Sequence, residues 1–293
     1  MFKGSIVALI TPMQPSGEVD YASLQRLVQF HVENGTDAIV SVGTTGESAT
    51  LPVKEHVEVV KRTVEFTEGN IPVIAGTGAN STDEAIELGK HMEGLGVEGL
   101  LSVVPYYNKP QQRGMVAHFN AIADAAKAPV ILYNVPSRTI ADLSNDAVVE
   151  LSAHSNIIGI KDATGDLARL ADLKARVPSE FALFSGDDPS GCEFLCQGGH
   201  GVISVTSNVA PALMSQMCQA VAKGQFEVAR EINLKLAELH STLFIEPNPV
   251  IPKWALYKMG LAANPTLRLP MVEPESTSQA TIETLLRGMG ILA

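Results

Sequence analysis

The sequence predicts an α/β protein, a (β/α)8 TIM barrel with a C-terminal helical extension, and three observations predict it. Eight short apolar runs rich in β-branched residues recur at a spacing of roughly 30 residues. Amphipathic helical patterns occupy the stretches between them. Polar and glycine-rich residues follow one run after another at its carboxyl end, where barrels of this class carry their active sites. Runs that are apolar throughout, rather than alternating, are what parallel strands buried on both faces require. The chain has 293 residues, 45% of them hydrophobic, enough for a large core. Length alone suggests two domains of average size, yet barrels of this type pass about 250 residues as one unit.

The eight runs fall at residues 5–10, 38–42, 72–75, 99–104, 130–133, 157–161, 182–184 and 201–205. The first lies in MFKGSIVALITPM, which has one lysine and no small-residue cleavage site after it, so it reads as a strand and not as a signal peptide. In the second helix Val53, Val57, Val60 and Val64 are expected to form one apolar face. Ser81-Thr82-Asp83-Glu84 is a capping box opening the third. The eighth is expected to start near Ser207-Asn208, before Pro211. Further helical patterns follow at 225–244, 252–259 and 276–289, with a proline-marked break at 247–252. A barrel does not need them. The expected division is therefore a barrel over 1–224 and a helical domain over 225–293.

The bulk properties exclude several classes of function. A formal net charge of −11 at pH 7 argues against a nucleic-acid partner, which needs a basic face. No apolar run approaches the roughly 18 residues of a membrane span. Cys192, Cys196 and Cys218 have no metal-ligand spacing and read as small core residues of a protein in a reducing cytoplasm. The seven histidines are scattered singly. No metal and no cofactor are expected.

Two runs end in residues an apolar run should not contain: 130–132 leads into Tyr133, and 157–160 into Lys161. Lysine is almost never fully buried without a partner. Strand alternation places Lys161 on the face of Gly159 and Ile157, with space beneath it at the glycine, and turns Asp162 away. Desolvation disfavours the charged form of such an amine, the condition for a nucleophile. The plainer reading is a lysine snorkelling into water at a strand mouth. Tyr133 is either a core aromatic with a satisfied hydroxyl or, beside the lysine strand, a proton carrier. Arg138 is either a solvated loop charge or a bidentate carboxylate clamp. Gly76-Thr77-Gly78-Ala79-Asn80-Ser81 nearly matches a dinucleotide-binding turn, but its third glycine is a serine and no acid is placed for a ribose; a tight turn into a capped helix fits better. Gly43-Thr44-Thr45-Gly46 lacks the ending of a phosphate loop, and its hydroxyls and backbone amides suit an uncharged or carboxylate-bearing ligand.

GTTGE at 43–47, PYYNKP at 105–110, YNVPSRT at 133–139 and GIKDATGD at 159–166 together resemble the dihydrodipicolinate synthases, members of the pyruvate-dependent Schiff-base lyase and aldolase superfamily. The resemblance spans essentially the whole chain. It implies condensation of pyruvate with L-aspartate 4-semialdehyde through an imine at Lys161, in lysine and diaminopimelate biosynthesis. It further implies Tyr133, Thr44 and Tyr107 as a proton relay, with Tyr107 supplied by a neighbouring subunit of a dimer of dimers. Thr45 would hold the pyruvate carboxylate and Arg138 that of the semialdehyde, while Gly186 and Ile203 line the pocket. An L-lysine inhibitor site is implied at Ser48, Ala49, His56, Asn80, Glu84 and Tyr106, although position 53 is Val53 where strongly inhibited relatives often carry histidine. The N-acetylneuraminate lyases share the GxTGE turn, the tyrosine and the lysine strand, but Arg138 and the paired tyrosines of PYYNKP resemble the synthase. Two rival functions follow: an aldolase of the same superfamily for another 2-keto acid, such as a sialic or 2-keto-3-deoxy sugar acid, and a non-catalytic keto-acid sensor.

Overall fold

A computed structural model describes residues 2–292 of the chain. Eight parallel strands close on themselves in sequence order: β1 Gly4–Ala8, β2 Ala38–Ser41, β3 Val73–Gly76, β4 Gly99–Val103, β5 Val130–Asn134, β6 Ile157–Asp162, β7 Ala182–Ser185 and β8 Gly201–Ser204. Helices α1 Tyr21–Glu33, α2 Val53–Thr67, α3 Thr82–His91 and α4 Gln112–Ala125 follow the first four strands. Beyond β5 come a single-turn α5 Pro136–Thr139 and α6 Asn145–Leu151; α7 Leu167–Arg176, α8 Asp188–Cys196 and α9 Pro211–Ala222 follow β6, β7 and β8. The C-terminal part is α10 Phe226–Thr242, α11 Val250–Lys258 and α12 Ser276–Gly288.

Strand alternation divides the apolar side chains between two layers. Ile6, Val40, Ile74, Leu101, Ile131 and Phe184 fill the barrel interior. Val7, Ile39, Ala75, Leu100, Leu132 and Ile160 face outward onto the helices. A further buried cluster joins α8, β8 and α9 to α10, α11 and α12, so the C-terminal helices pack on the closing edge of the barrel.

The second helix departs from the expected stripe. Its buried residues are His56, Val59, Val60, Thr63 and Thr67, and Val53 is 52% exposed. Valine spacing misled because polar side chains occupy the core-facing positions and are satisfied there: Thr63 Oγ1 donates to the Val59 carbonyl at 2.8 Å and pairs with Ser41 Oγ at 3.0 Å. The third helix carries half of the expected capping box: Ser81 Oγ accepts from the Glu84 amide, while among the described residues the return bond from the Ser81 amide to the Glu84 carboxylate does not form. A 3-10 turn at Thr206–Asn208 precedes α9, which starts at Pro211.

Candidate active site

Lys161 is the last-but-one residue of β6, in register with Tyr133 on β5 and Phe184 on β7. It is 6% exposed, and its Nζ stands 4.2 Å from the centroid of the Tyr133 ring. Among the described residues it forms no ion pair and its Nζ makes no hydrogen bond. Asp162 turns away, as alternation requires. Its carboxylate is occupied by Arg169 Nε at 3.1 Å, the Thr164 amide at 2.9 Å and Asn134 Nδ2 at 3.3 Å.

Two details of this strand differ from expectation. A register shift between Val130 and Ile131 pairs Val130 with Ile157 but Ile131 with Gly159, so Ile157 packs outward and does not share the lysine's face. Gly159 also leaves no void. A Cβ there would overlap the Ala182 carbonyl, so the glycine admits the close approach of β7. Gly186 does lie against the lysine: a Cβ on it would come within 2.7 Å of Lys161 Cε. Ile203 is buried inside the barrel on β8.

The Gly43–Glu47 turn follows β2 and is bracketed by two non-glycine residues at positive φ, Val42 at 53° and Glu47 at 58°. Such backbone is strained and persists only when its surroundings hold it. A Cβ on Gly76 would overlap the Val42 carbonyl, so that glycine lets β3 sit under the turn. The turn uses several of its own amides: Gly46 and Ser48 donate to the Gly43 carbonyl and Glu47 to that of Thr44. Among the described residues the amides of Thr44 and Thr45 have no such partner. Thr45 is buried and Thr44 half-buried.

Three anchors of this turn lie in the C-terminal part and were not singled out from the sequence. Lys253 Nζ makes a buried ion pair with Glu47 and donates to the Thr266 carbonyl at 2.7 Å. Burial pushes the Lys253 amine down from its ordinary value, against the pull of Glu47. The Arg268 amide donates to Glu47 Oε2 at 3.0 Å, and its guanidinium grips Glu55 of α2 through two bonds of 2.6 and 3.0 Å. Asn248 Nδ2 donates to Thr45 Oγ1 at 2.9 Å. These pairs link positions some two hundred residues apart, so no local pattern signals them.

A cleft of about 810 Å³ runs from Thr44 and Arg138 to Ser48, Ala49, Val53, His56, Glu84 and Tyr106. Arg138 is exposed on α5 and donates from Nη2 to the Asn248 carbonyl at 3.1 Å. His56 Nε2 donates to the Gly76 carbonyl at 2.7 Å, and burial lowers its pKa to about 4, which keeps the ring neutral near pH 7. Asn80 stands beside this wall, with its Nδ2 on the Tyr106 carbonyl at 3.2 Å. Tyr107 is not brought to the lysine. It is 90% exposed on the rim with φ of 74°. No three His, Cys, Asp or Glu side chains among the described residues gather as metal ligands.

Thus the barrel mouth holds a buried amine against a phenol, with a strained hydroxyl-bearing turn and an arginine at the edge of one cleft. The family model for the Dihydrodipicolinate synthetase family matches residues 1–289. A protein of Pseudoalteromonas atlantica named 4-hydroxy-tetrahydrodipicolinate synthase is 62% identical over 293 residues, all of both chains. Among solved structures, the chloride-inhibited dihydrodipicolinate synthase of Acinetobacter baumannii complexed with pyruvate superposes with a TM-score of 0.98 at 47% identity, covering 100% of both chains. That of Cyanidioschyzon merolae with lysine bound gives 0.96 at 40% identity, covering 99% of both. With a family match over nearly its whole length and relatives this similar end to end, the chain belongs to the dihydrodipicolinate synthetase family.

Proposed function

We infer that the chain is a Schiff-base lyase that condenses pyruvate with L-aspartate 4-semialdehyde to 4-hydroxy-tetrahydrodipicolinate, an early step of lysine and diaminopimelate biosynthesis. The observation that carries this reading is Lys161, buried against the Tyr133 ring at the mouth of a closed barrel with no ion-pair partner among the described residues.

The Lys161 amine attacks the pyruvate ketone, and loss of water leaves a cationic imine. That imine draws electrons from the adjacent methyl, which gives up a proton and becomes the enamine carbon. The enamine attacks the aldehyde carbon of the semialdehyde, whose oxygen takes a proton. The amine of the same substrate then displaces Lys161 at the imine carbon, closing the ring and freeing the enzyme. Tyr133 carries these protons, relayed through the Thr44 hydroxyl to Tyr107. Thr45 holds the pyruvate carboxylate, Arg138 the semialdehyde carboxylate, and Gly186 and Ile203 shape the pocket around the lysine stem.

Tyr107, 90% exposed, joins this relay only when a second copy brings its own tyrosine across an interface, so the working unit is a dimer, assembled as a dimer of dimers. The cleft from Ser48 to Tyr106, with Asn80 beside it, takes L-lysine as an inhibitor; support comes from its continuity with Thr44 and Arg138 and from the lysine-bound relative. A fully active monomer in sedimentation would overturn the assembly, and a rate unchanged in millimolar lysine would remove the inhibitor. The protein works in the cytoplasm; among the described residues no helix is long and apolar enough to cross a membrane. An assay separates this activity from that of the sialic acid lyases: turnover is expected with pyruvate plus aspartate semialdehyde and not with pyruvate plus N-acetylmannosamine, and the reverse result refutes it.

A further inference from the structure

Asn248 lies outside the barrel, between α10 and α11, and is 4% exposed. Its Nδ2 donates to Thr45 Oγ1 at 2.9 Å, and its main-chain carbonyl accepts from Arg138 Nη2 at 3.1 Å. Its Oδ1 is buried and has no hydrogen-bond partner among the described residues. One residue therefore touches both groups to which the proposed reaction assigns a substrate carboxylate.

We propose that Asn248 is a positioning residue for pyruvate: by donating to Thr45 Oγ1 it leaves the threonine hydroxyl hydrogen for the keto-acid carboxylate. The inference rests on the reaction proposed above. A threonine hydroxyl has one hydrogen and two lone pairs. With an amide N–H on one lone pair, the hydroxyl hydrogen remains for an acceptor, and an ionised carboxylate is an acceptor only. The opposite amide orientation would take that hydrogen with Oδ1 and leave both amide hydrogens unused, in place of one unused hydrogen and one unused acceptor; a buried orphan donor is the rarer and costlier of the two. The unpartnered Oδ1 is thus what the side chain forgoes to make its single donation.

The setting is rigid enough for this role. Lys253, a few residues further along at α11, holds Glu47 at the far end of the same turn. The C-terminal segment therefore grips the turn at Thr45 and at Glu47, the second of which is held at positive φ. The two contacts of Asn248 also separate by chemistry. The one to Arg138 comes from the main chain and survives any side-chain change; the one to Thr45 does not.

The test uses Asn248→Ala, which deletes the donor, and Asn248→Asp, which keeps the shape but replaces the donor by an acceptor that takes the Thr45 hydrogen. KM for each substrate, kcat and melting temperature are measured for both. Pyruvate KM is expected to rise about tenfold in the alanine variant and further in the aspartate variant. Semialdehyde KM should stay within about twofold, since the carbonyl to Arg138 is retained. In a Thr45→Val background, Asn248→Ala should add little, because its target hydroxyl is gone. Equal rises in both KM values, additive effects in that background, or an unchanged pyruvate KM in Asn248→Asp would each overturn the proposal, as would failure of both variants to fold, which would make the role structural. Borohydride trapping of pyruvate on the unaltered protein keeps the two ideas apart: without an adduct the reaction fails, and with one only the role of Asn248 is in question.

Discussion

Lys161 was legible because an apolar run has a definite grammar and the lysine breaks it. A buried strand ends, in most cases, on a residue that tolerates burial, and a lysine or tyrosine in that place demands a reason. Asn248 broke no such rule. An asparagine before a proline in a loop is ordinary turn chemistry, and only the chain's return to the barrel mouth gives it a partner. Arg138 lies between these cases, since its place after the Tyr133 strand was readable but its carbonyl partner was not. Exposed on a single-turn helix and held by one bond, its guanidinium is free to meet an incoming carboxylate. Arg138→Ala is therefore expected to raise semialdehyde KM at least tenfold, the scale of a lost charge-assisted pair, while pyruvate still forms its imine. Steady-state kinetics beside borohydride trapping checks this, and loss of the adduct in the variant would contradict it.

At the scale of elements, the turn after β2 shows what a local reading captures and what it misses. Its glycines and hydroxyls marked it as a ligand loop, but nothing nearby in the chain accounts for Val42 and Glu47 at positive φ. For Glu47 the explanation is distant: an ion pair from α11 and a backbone donor from Arg268 hold it in a conformation its own residues disfavour. Helix α2 teaches the same lesson from the other side, since its buried face is partly threonine and histidine, and a search for valines finds Val60 and the half-buried Val57 but misplaces Val53. Removing one member of a buried pair strands the other charge. Lys253→Met is expected to lower stability by about 3–5 kcal/mol, and adding Glu47→Gln should recover part of that loss. Thermal unfolding of the single and double variants measures it; a single variant as stable as the parent would show that Glu47 is satisfied without the lysine.

For the whole molecule, eight apolar runs at regular spacing sufficed to predict a closed parallel barrel because each run must be covered on both faces, and few topologies do so. The packing of the C-terminal helices was not readable in the same way, as helical periodicity shows that a face is apolar but not what it meets. The finished core also encloses several histidines. Burial lowers the pKa of His31 to about 3 and those of His56 and His118 to about 4, from 6.5. Between those values and 6.5 the unfolded chain binds protons that the folded one refuses. Their contribution is complete above pH 6.5 and drains as the pH falls toward 4. Melting temperature is expected to drop across that window, and less steeply in His31→Asn; a flat profile from pH 7.5 to 4.5 would contradict it.

One amine at the barrel mouth is expected to condense with a keto acid. Incubation with pyruvate and sodium borohydride, followed by peptide mass analysis, tests it directly. A reduced pyruvate adduct on the peptide carrying Lys161, absent without pyruvate and absent in Lys161→Ala, is the predicted result. An unmodified Lys161, or an adduct on another lysine, would contradict it.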